Sequence, residues 1–112
     1  MTVTAKPLFQ GLQAALAETG QYTTPAGTRT IIDKFTGTNT SAAPANITIK
    51  LIASGGAAGA SNTIVASKTL QPNETYTFPE IVGHVLAPGD SISTLASVAN
   101  AITIRSSGRE VS

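Results

Sequence analysis

The sequence predicts an all-β protein: a single antiparallel β-sandwich, immunoglobulin-like or jelly-roll in topology, preceded by an N-terminal arm. Short segments rich in β-branched residues recur at roughly 8–16-residue spacing, which is typical of sandwiches. Each segment is bounded by Pro, Gly, Asn or Asp, the residues that reverse a chain. Beyond the first 20 residues no stretch has the periodicity of a helix.

Length and composition fit one small domain. With 112 residues, the chain can bury one hydrophobic core. Hydrophobic residues make up 41% of the chain but aromatic residues only 4%. We therefore expect a core of Ile, Leu, Val and Ala packed around five rings: Phe9, Tyr22, Phe35, Tyr76 and Phe78.

Residues 1–20 form an N-terminal arm or a first strand, and residues 21–112 form the sandwich domain. Leu8, Leu12 and Leu16 recur every fourth residue, as on one face of a short helix. Alternation of Leu12, Ala14 and Leu16 fits an extended strand equally well. An arm this apolar is expected to dock on a neighbouring subunit, and its deletion should leave a folded sandwich.

The strand candidates follow in order. In 28–40, the apolar residues Ile31, Ile32 and Phe35 break strict alternation, which predicts a bulge. Residues 45–53 alternate cleanly and predict a half-buried strand. A loop of small residues occupies 54–62. The remaining strands are predicted at 63–70, 74–81, 84–86, 91–97 and 101–107.

Two similar phrases, LQPNETY at 70–76 and LAPGDSI at 86–92, predict two matched turns. Proline presets φ for the first central turn position, and Asn or Gly accepts a positive φ at the second. The acid that follows, Glu74 or Asp90, can accept backbone N–H bonds. The repeat is thus interpreted as two corners of the sandwich rather than as a ligand site.

Residues that would carry chemistry are sparse, and we predict no catalytic, cofactor or metal site. His84 is the only histidine and lies in no nucleophile context, so a packing or surface role is expected. The acids form no ligand pattern; Glu74 and Asp90 are the only pair whose matched turns could converge on a metal. The segment 55–59 lacks the Lys-Ser/Thr of a phosphate-binding loop.

Charge and hydropathy disfavour nucleic acid and membranes as partners. Charged residues are 12% of the chain, the net charge is +1, and the seven cations are scattered singly along the sequence. No apolar stretch approaches the roughly 20 residues of a membrane helix. The start MTVTAKPLFQ does not resemble a secretory signal, so synthesis in the cytoplasm is expected. There is no cysteine and hence no disulfide framework.

Three stretches resemble a group of small structural proteins of tailed bacteriophages: YTTPAGTRTIIDKFTGTNTSAAPANITIKLI, ETYTFPEIVGHVLAPGDSI and ASVANAITIRSSGREVS. The resemblance covers about residues 20–112 and rests on turn and strand patterns. It implies a β-fold and a place in a virion, and it brings no catalytic residues. A weakly charged sandwich with an apolar arm suits such a subunit.

The function expected from this resemblance is a capsid decoration or cement protein that binds and stabilises the assembled major capsid shell. A tail, baseplate or fibre-attachment protein is the alternative, and a carbohydrate-binding module is a third. A homo-oligomer, either a trimer or a dimer, is expected. The candidate partner-binding residues lie in the arm and in the 54–62 loop: Leu8, Phe9, Leu12, Leu16, Gly55, Gly56 and Ser61.

Overall fold

A computed structural model describes all residues from 1 to 112 and shows two antiparallel sheets packed as a sandwich. Its only helical element is a short 3₁₀ turn at Ala60–Asn62. No helix is long and apolar enough to span a membrane. The all-β sandwich predicted from the sequence is therefore confirmed. The strands are β1 (Val3–Gln13), β2 (Thr19–Thr23), β3 (Arg29–Asn39), β4 (Ala45–Ile52), β5 (Thr63–Leu70), β6 (Thr75–Tyr76), β7 (Val85–Leu86), β8 (Ser91–Ala96) and β9 (Ile102–Val111).

Strand pairing is nested in the manner of a jelly roll. The five-stranded sheet has the order β1-β9-β3-β6, with β7 also paired to β3, and the four-stranded sheet has the order β2-β8-β4-β5. The nested pairs are β1 with β9, β2 with β8, β3 with β6 and β7, and β4 with β5. Pairing of β9 with β3 and of β8 with β4 joins these pairs into the two sheets. Of the two topologies left open by the sequence, this arrangement matches the jelly roll.

The N-terminal segment is a strand of the sandwich and not a separate arm. Strand β1 pairs with β9 along its length, from Val3 opposite Val111 to Gln13 opposite Thr103. Its register shifts twice, between Pro7 and Phe9 and again before Leu12. These irregularities explain why the sequence alternates poorly. Deleting residues 1–16 would remove an entire edge strand together with the buried Leu8 and Phe9, so we now expect the truncated protein to be destabilised.

Most of the other strand predictions are confirmed. The bulge expected in β3 occurs between Ile32 and Lys34, where β3 pairs with β9. Strands β4 and β5 match their predicted bounds closely. The long strand predicted at 74–81 is wrong, because only Thr75–Tyr76 pair and the chain turns at Phe78, which has φ of 46°. Strand β9 extends to Val111, beyond the predicted 107.

The core is built around a row of rings in edge-to-face contact. Phe35 contacts Phe9 at 5.6 Å and Phe78 at 5.2 Å between ring centroids, and Tyr76 contacts Phe78 at 4.8 Å. The three Phe rings are buried, and Tyr22 and Tyr76 pack against the core from its margin. All five rings expected in the core therefore contribute to it.

Both repeated phrases form the predicted turns. Glu74 N donates to Gln71 O at 3.0 Å, and Asp90 N donates to Ala87 O at 2.9 Å. The second central residues have positive φ, 64° at Asn73 and 85° at Gly89. This confirms the interpretation of the repeat as chain reversal.

Connections between strands gather at the two ends of the sandwich. The end that we call the terminal end carries both chain termini and the connections 24–28, 53–62 and 87–90. The opposite end, here the distal end, carries the connections 14–18, 40–44, 71–74 and 97–101. The molecule measures 46 Å along its longest axis. Glu74 lies at the distal end and Asp90 at the terminal end, so these two acids cannot share a metal.

Candidate functional site

The residues predicted to bind a partner do not form one surface. Leu8 and Phe9 are each only 7% exposed and belong to the core, so the folded protein cannot present them to a partner. Leu12 is half-buried against the core. Leu16 is 57% exposed at the distal end. The other three candidates lie exposed in the 53–62 connection at the terminal end: Gly55, Gly56 and Ser61.

An apolar surface that the sequence did not reveal lies on the outer face of the five-stranded sheet, near the terminal end. We call it the terminal patch and define it by Val3, Ile31, Val85 and Val111. Val3 lies opposite Val111, and Ile31 lies opposite Val85 in the neighbouring row. Val3 is 53% exposed and Val85 58%, while the other two are half-buried. The patch joins strands β1, β9, β3 and β7.

A shallow groove of about 400 Å³ adjoins the terminal patch. It is lined in part by Met1, Arg29, Pro88 and Val111. Both chain termini run beside it, because Thr2 and Ser112 exchange two backbone hydrogen bonds of 2.9 Å. The terminal end therefore combines apolar side chains, an accessible concavity and paired termini, and the register places Arg29 beside Val111 and Arg109 beside Ile31.

The sequence signal for this patch was the pair Ile31–Ile32. Adjacent apolar residues in a strand point to opposite faces, so one of them must face outward unless a bulge intervenes. Ile32 is buried and Ile31 is half-buried on the outer face. The bulge comes just after this pair, at Asp33, and therefore does not bring Ile31 inside.

Three pairs of charged side chains form salt bridges. Arg109 donates from Nε and Nη2 to the Asp33 carboxylate at 3.0 Å each. Lys50 and Ser93 both donate to Glu18. Partial burial alone would raise the pKa of Glu18, but these two hydrogen bonds and the Lys50 charge outweigh it and lower the pKa.

A polar cluster lies between the sheets near the terminal end. The Tyr22 hydroxyl donates to Glu110 Oε2 at 2.5 Å and lies 2.7 Å from Thr30 Oγ1. Lys6 Nζ is 3.4 Å from the same Glu110 oxygen. Burial, together with the Glu110 carboxylate, raises the pKa of Tyr22 to about 12. The cluster ties β2 to β3, β9 and β1.

No group of three or more His, Cys, Asp or Glu side chains lies close enough to hold a metal ion. His84 is exposed, and its backbone carbonyl accepts a hydrogen bond from Ile32 N at 3.0 Å. This places it at the surface, one of the two roles expected of it.

The cations are less scattered in space than in sequence. Pairing of β3 with β9 brings four of the seven onto the outer face of the five-stranded sheet: Arg29, Lys34, Arg105 and Arg109. The only carboxylate on this face is Asp33, and Arg109 binds it. Cations that are separated in the sequence therefore share one face of the folded protein.

Comparison with known proteins supports the fold. No protein family and no curated protein matches the sequence. A subunit of Bacillus endospore appendages, which form a family of disulfide-linked pili, superposes on 99% of this chain and 88% of its own with a TM-score of 0.60 and 14% identity. A protein of infectious bursal disease virus strain Gx matches 97% of this chain and 30% of its own, with a TM-score of 0.45 and 12% identity.

The Bacillus appendage protein shows that this β-sandwich occurs in a subunit of a fibrous assembly. The disulfide linkage of those pili has no counterpart here, because these 112 residues contain no cysteine. At 14% identity the likeness concerns the fold alone.

Proposed function

We propose that this chain is a non-enzymatic structural protein that functions by packing against other protein subunits, most specifically as a phage capsid decoration protein. The observation that carries the proposal is the terminal patch, where Val3 and Val85 are more than half exposed on the face of a sheet. Adjoining exposed apolar side chains rimmed by polar groups are typical of sites of protein contact. The resemblance of residues 20–112 to tailed-phage structural proteins supplies the virion context.

Binding at the terminal patch would stabilise an assembled shell by mass action. A protein that binds the assembled state and not the free subunits lowers the free energy of the assembly relative to its parts. Contact through a flat sheet face requires no ordering of a flexible segment, so little conformational entropy is lost on binding. The fold likeness to a pilus subunit supports a role in assembly without specifying which assembly.

The test of this proposal is to locate the chain in purified phage particles and count its copies. Quantitative mass spectrometry against the major shell protein, with antibody labelling in the electron microscope, gives both results. Hundreds of copies spread over the shell are expected for a decoration protein. A small multiple of three or six at one vertex would instead assign it to the tail, and absence from the particle would overturn a virion role altogether.

A further inference from the structure

A second surface lies on the outer face of the five-stranded sheet, midway along β3 and β9. Lys34 is opposite Ser107 and Thr36 is opposite Arg105 in the antiparallel register. Alternating side chains i and i+2 share one face of a strand, so all four point outward. They line a shallow depression of about 160 Å³ that contains no hydrophobic residue.

These four side chains have no partners within the protein. The three salt bridges of the chain engage Lys6, Lys50 and Arg109, and leave Lys34 and Arg105 free. Neither the Thr36 nor the Ser107 hydroxyl makes an intramolecular hydrogen bond, although other hydroxyls on these strands do. Thr38 Oγ1, for example, lies 2.8 Å from Thr75 Oγ1, and Ser106 Oγ donates to Lys34 O at 2.7 Å.

We propose that this site, the β3–β9 cation site, binds carboxylates on an acidic protein surface. Residues on a cross-strand diagonal are roughly 7–8 Å apart at the backbone, so the long side chains of Lys34 and Arg105 can engage two neighbouring carboxylates. The guanidinium of Arg105 can bind one carboxylate through two parallel hydrogen bonds, and the flanking hydroxyls can donate to the other.

The chemistry of this face favours carboxylates over nucleic acid. Bases of single strands bind by stacking on aromatic rings, and every ring of this protein packs in or against the core between the sheets. Duplex binding depends on neutralising many phosphates, whereas the chain has a net charge of only +1. Within the protein itself, Glu18, Asp33 and Glu110 are paired with cations, and Glu74 and Asp90 accept backbone hydrogen bonds, so an acidic patch on a different protein is the better match.

Binding of carboxylates at the β3–β9 cation site goes beyond the proposed function and can be tested without virions. ¹⁵N-labelled protein is titrated at low salt with a short polyglutamate peptide, and in parallel with a DNA duplex and a heparin-derived oligosaccharide. Saturable amide shifts centred on Lys34, Thr36, Arg105 and Ser107 are expected with the peptide. The double variant K34Q/R105Q should bind it about tenfold more weakly, since an exposed ion pair contributes up to about fivefold in affinity.

A matched control variant, R29Q/K68Q, removes two cations that form no salt bridge and do not line the site, and it should keep wild-type affinity. Equal weakening in both double variants would overturn the proposal, because it would show only a response to net charge. Tighter binding of DNA or of the sulfated oligosaccharide than of the peptide would overturn the assignment to carboxylates. Absence of any saturable shift would overturn the site itself. If K34Q/R105Q does not fold, as judged by its amide spectrum, the peptide affinities of the single variants K34Q and R105Q are compared with that of K68Q.

Discussion

Glu74 and Asp90 perform the same task in two turns at opposite ends of the sandwich. Glu74 Oε1 accepts a hydrogen bond from Gln71 N at 2.7 Å, and Asp90 Oδ2 accepts one from Ala87 N at 2.9 Å. Each carboxylate thus holds the amide three residues before it. Each turn also docks on the end of a neighbouring strand: Asn39 exchanges backbone hydrogen bonds with the first, and Thr24 with the second.

The two acids should differ in their contribution to stability. Asp90 Oδ1 accepts a further hydrogen bond from Ser54 N at 3.0 Å, which ties the turn to the 53–62 connection. We expect Glu74→Ala to lower the free energy of unfolding by about 1 kcal/mol and Asp90→Ala by about 2–3 kcal/mol. Asp90→Asn retains one acceptor oxygen, so its stability should lie between those of the wild type and Asp90→Ala. Urea unfolding of the three variants measures this order; equal losses at the two positions would contradict it.

The phrases PNE and PGD should not be interchangeable, although they form the same turn. A Cβ on Gly89 would lie 2.5 Å from Ser54 Oγ, whereas Asn73 already carries a side chain at its positive φ. Asn73→Gly should therefore change stability by less than about 0.5 kcal/mol. Gly89→Asn should destabilise by about 1–3 kcal/mol. Adding Ser54→Gly to Gly89→Asn should recover part of the loss, and a double-mutant cycle with no coupling would refute the steric explanation.

Much of the fold could be predicted because its signals are local. The alternation in β4, the β-branched run of β5 and the turn residues Pro72 and Pro88 each act over a few positions. The β1–β9 pairing joins residues about a hundred positions apart and leaves no local trace. Two irregularities in the register of β1 further hid its alternation, so a helix and a strand fitted the first 20 residues equally well.

The candidate surfaces were harder to predict for the same reason. Val3, Ile31, Val85 and Val111 become neighbours only through pairing among four strands. Lys34 and Arg105 are likewise brought together by the β3–β9 register, in which one bulge decides which side chains face outward. Leu8 and Phe9 look available to a partner in the sequence because they lie in a segment whose pattern does not show that it pairs with β9.

Close packing at the β3–β9 pairing should make Gly108 indispensable. A Cβ there would lie 2.2 Å from Ile31 O, a backbone atom that cannot move without disturbing the ladder. On Gly37 it would lie 2.9 Å from the Phe78 ring, which can shift slightly. Gly37→Ala should cost about 1–3 kcal/mol and Gly108→Ala more. Gly20→Ala serves as the control, because the space around Gly20 is open. If thermal unfolding shows that Gly108→Ala is as stable as this control, the β3–β9 pairing described above is contradicted.

Alkaline pH should destabilise the protein through Tyr22. Its pKa is raised from 10.0 to about 12 in the folded state, so folding favours the protonated phenol. The stabilisation is fully present below pH 10 and is lost as pH rises towards 12. Tyr22→Phe should be less stable at neutral pH, because Glu110 and the buried Thr30 lose a partner, but its stability should fall less steeply above pH 10.

Tyrosinate absorbance in a Tyr76→Phe background follows the Tyr22 phenol alone, since the chain has only two tyrosines. Titration of Tyr22 near pH 10 in the folded protein would contradict the buried cluster. Parallel urea unfolding of Tyr22→Phe and wild type across the same pH range checks the predicted difference in slope.

Attachment to an assembly through the terminal patch is tested by sedimentation of purified protein with phage shells from which the protein has been removed. The experiment compares wild type, the double variant V3S/V85S and the control V98S. Val98 is 46% exposed but lies at the distal end, so the control also removes an exposed valine. We predict that wild type and V98S sediment with the shells at full occupancy, and that folded V3S/V85S stays in the supernatant. Wild-type occupancy by V3S/V85S would contradict attachment through the terminal patch.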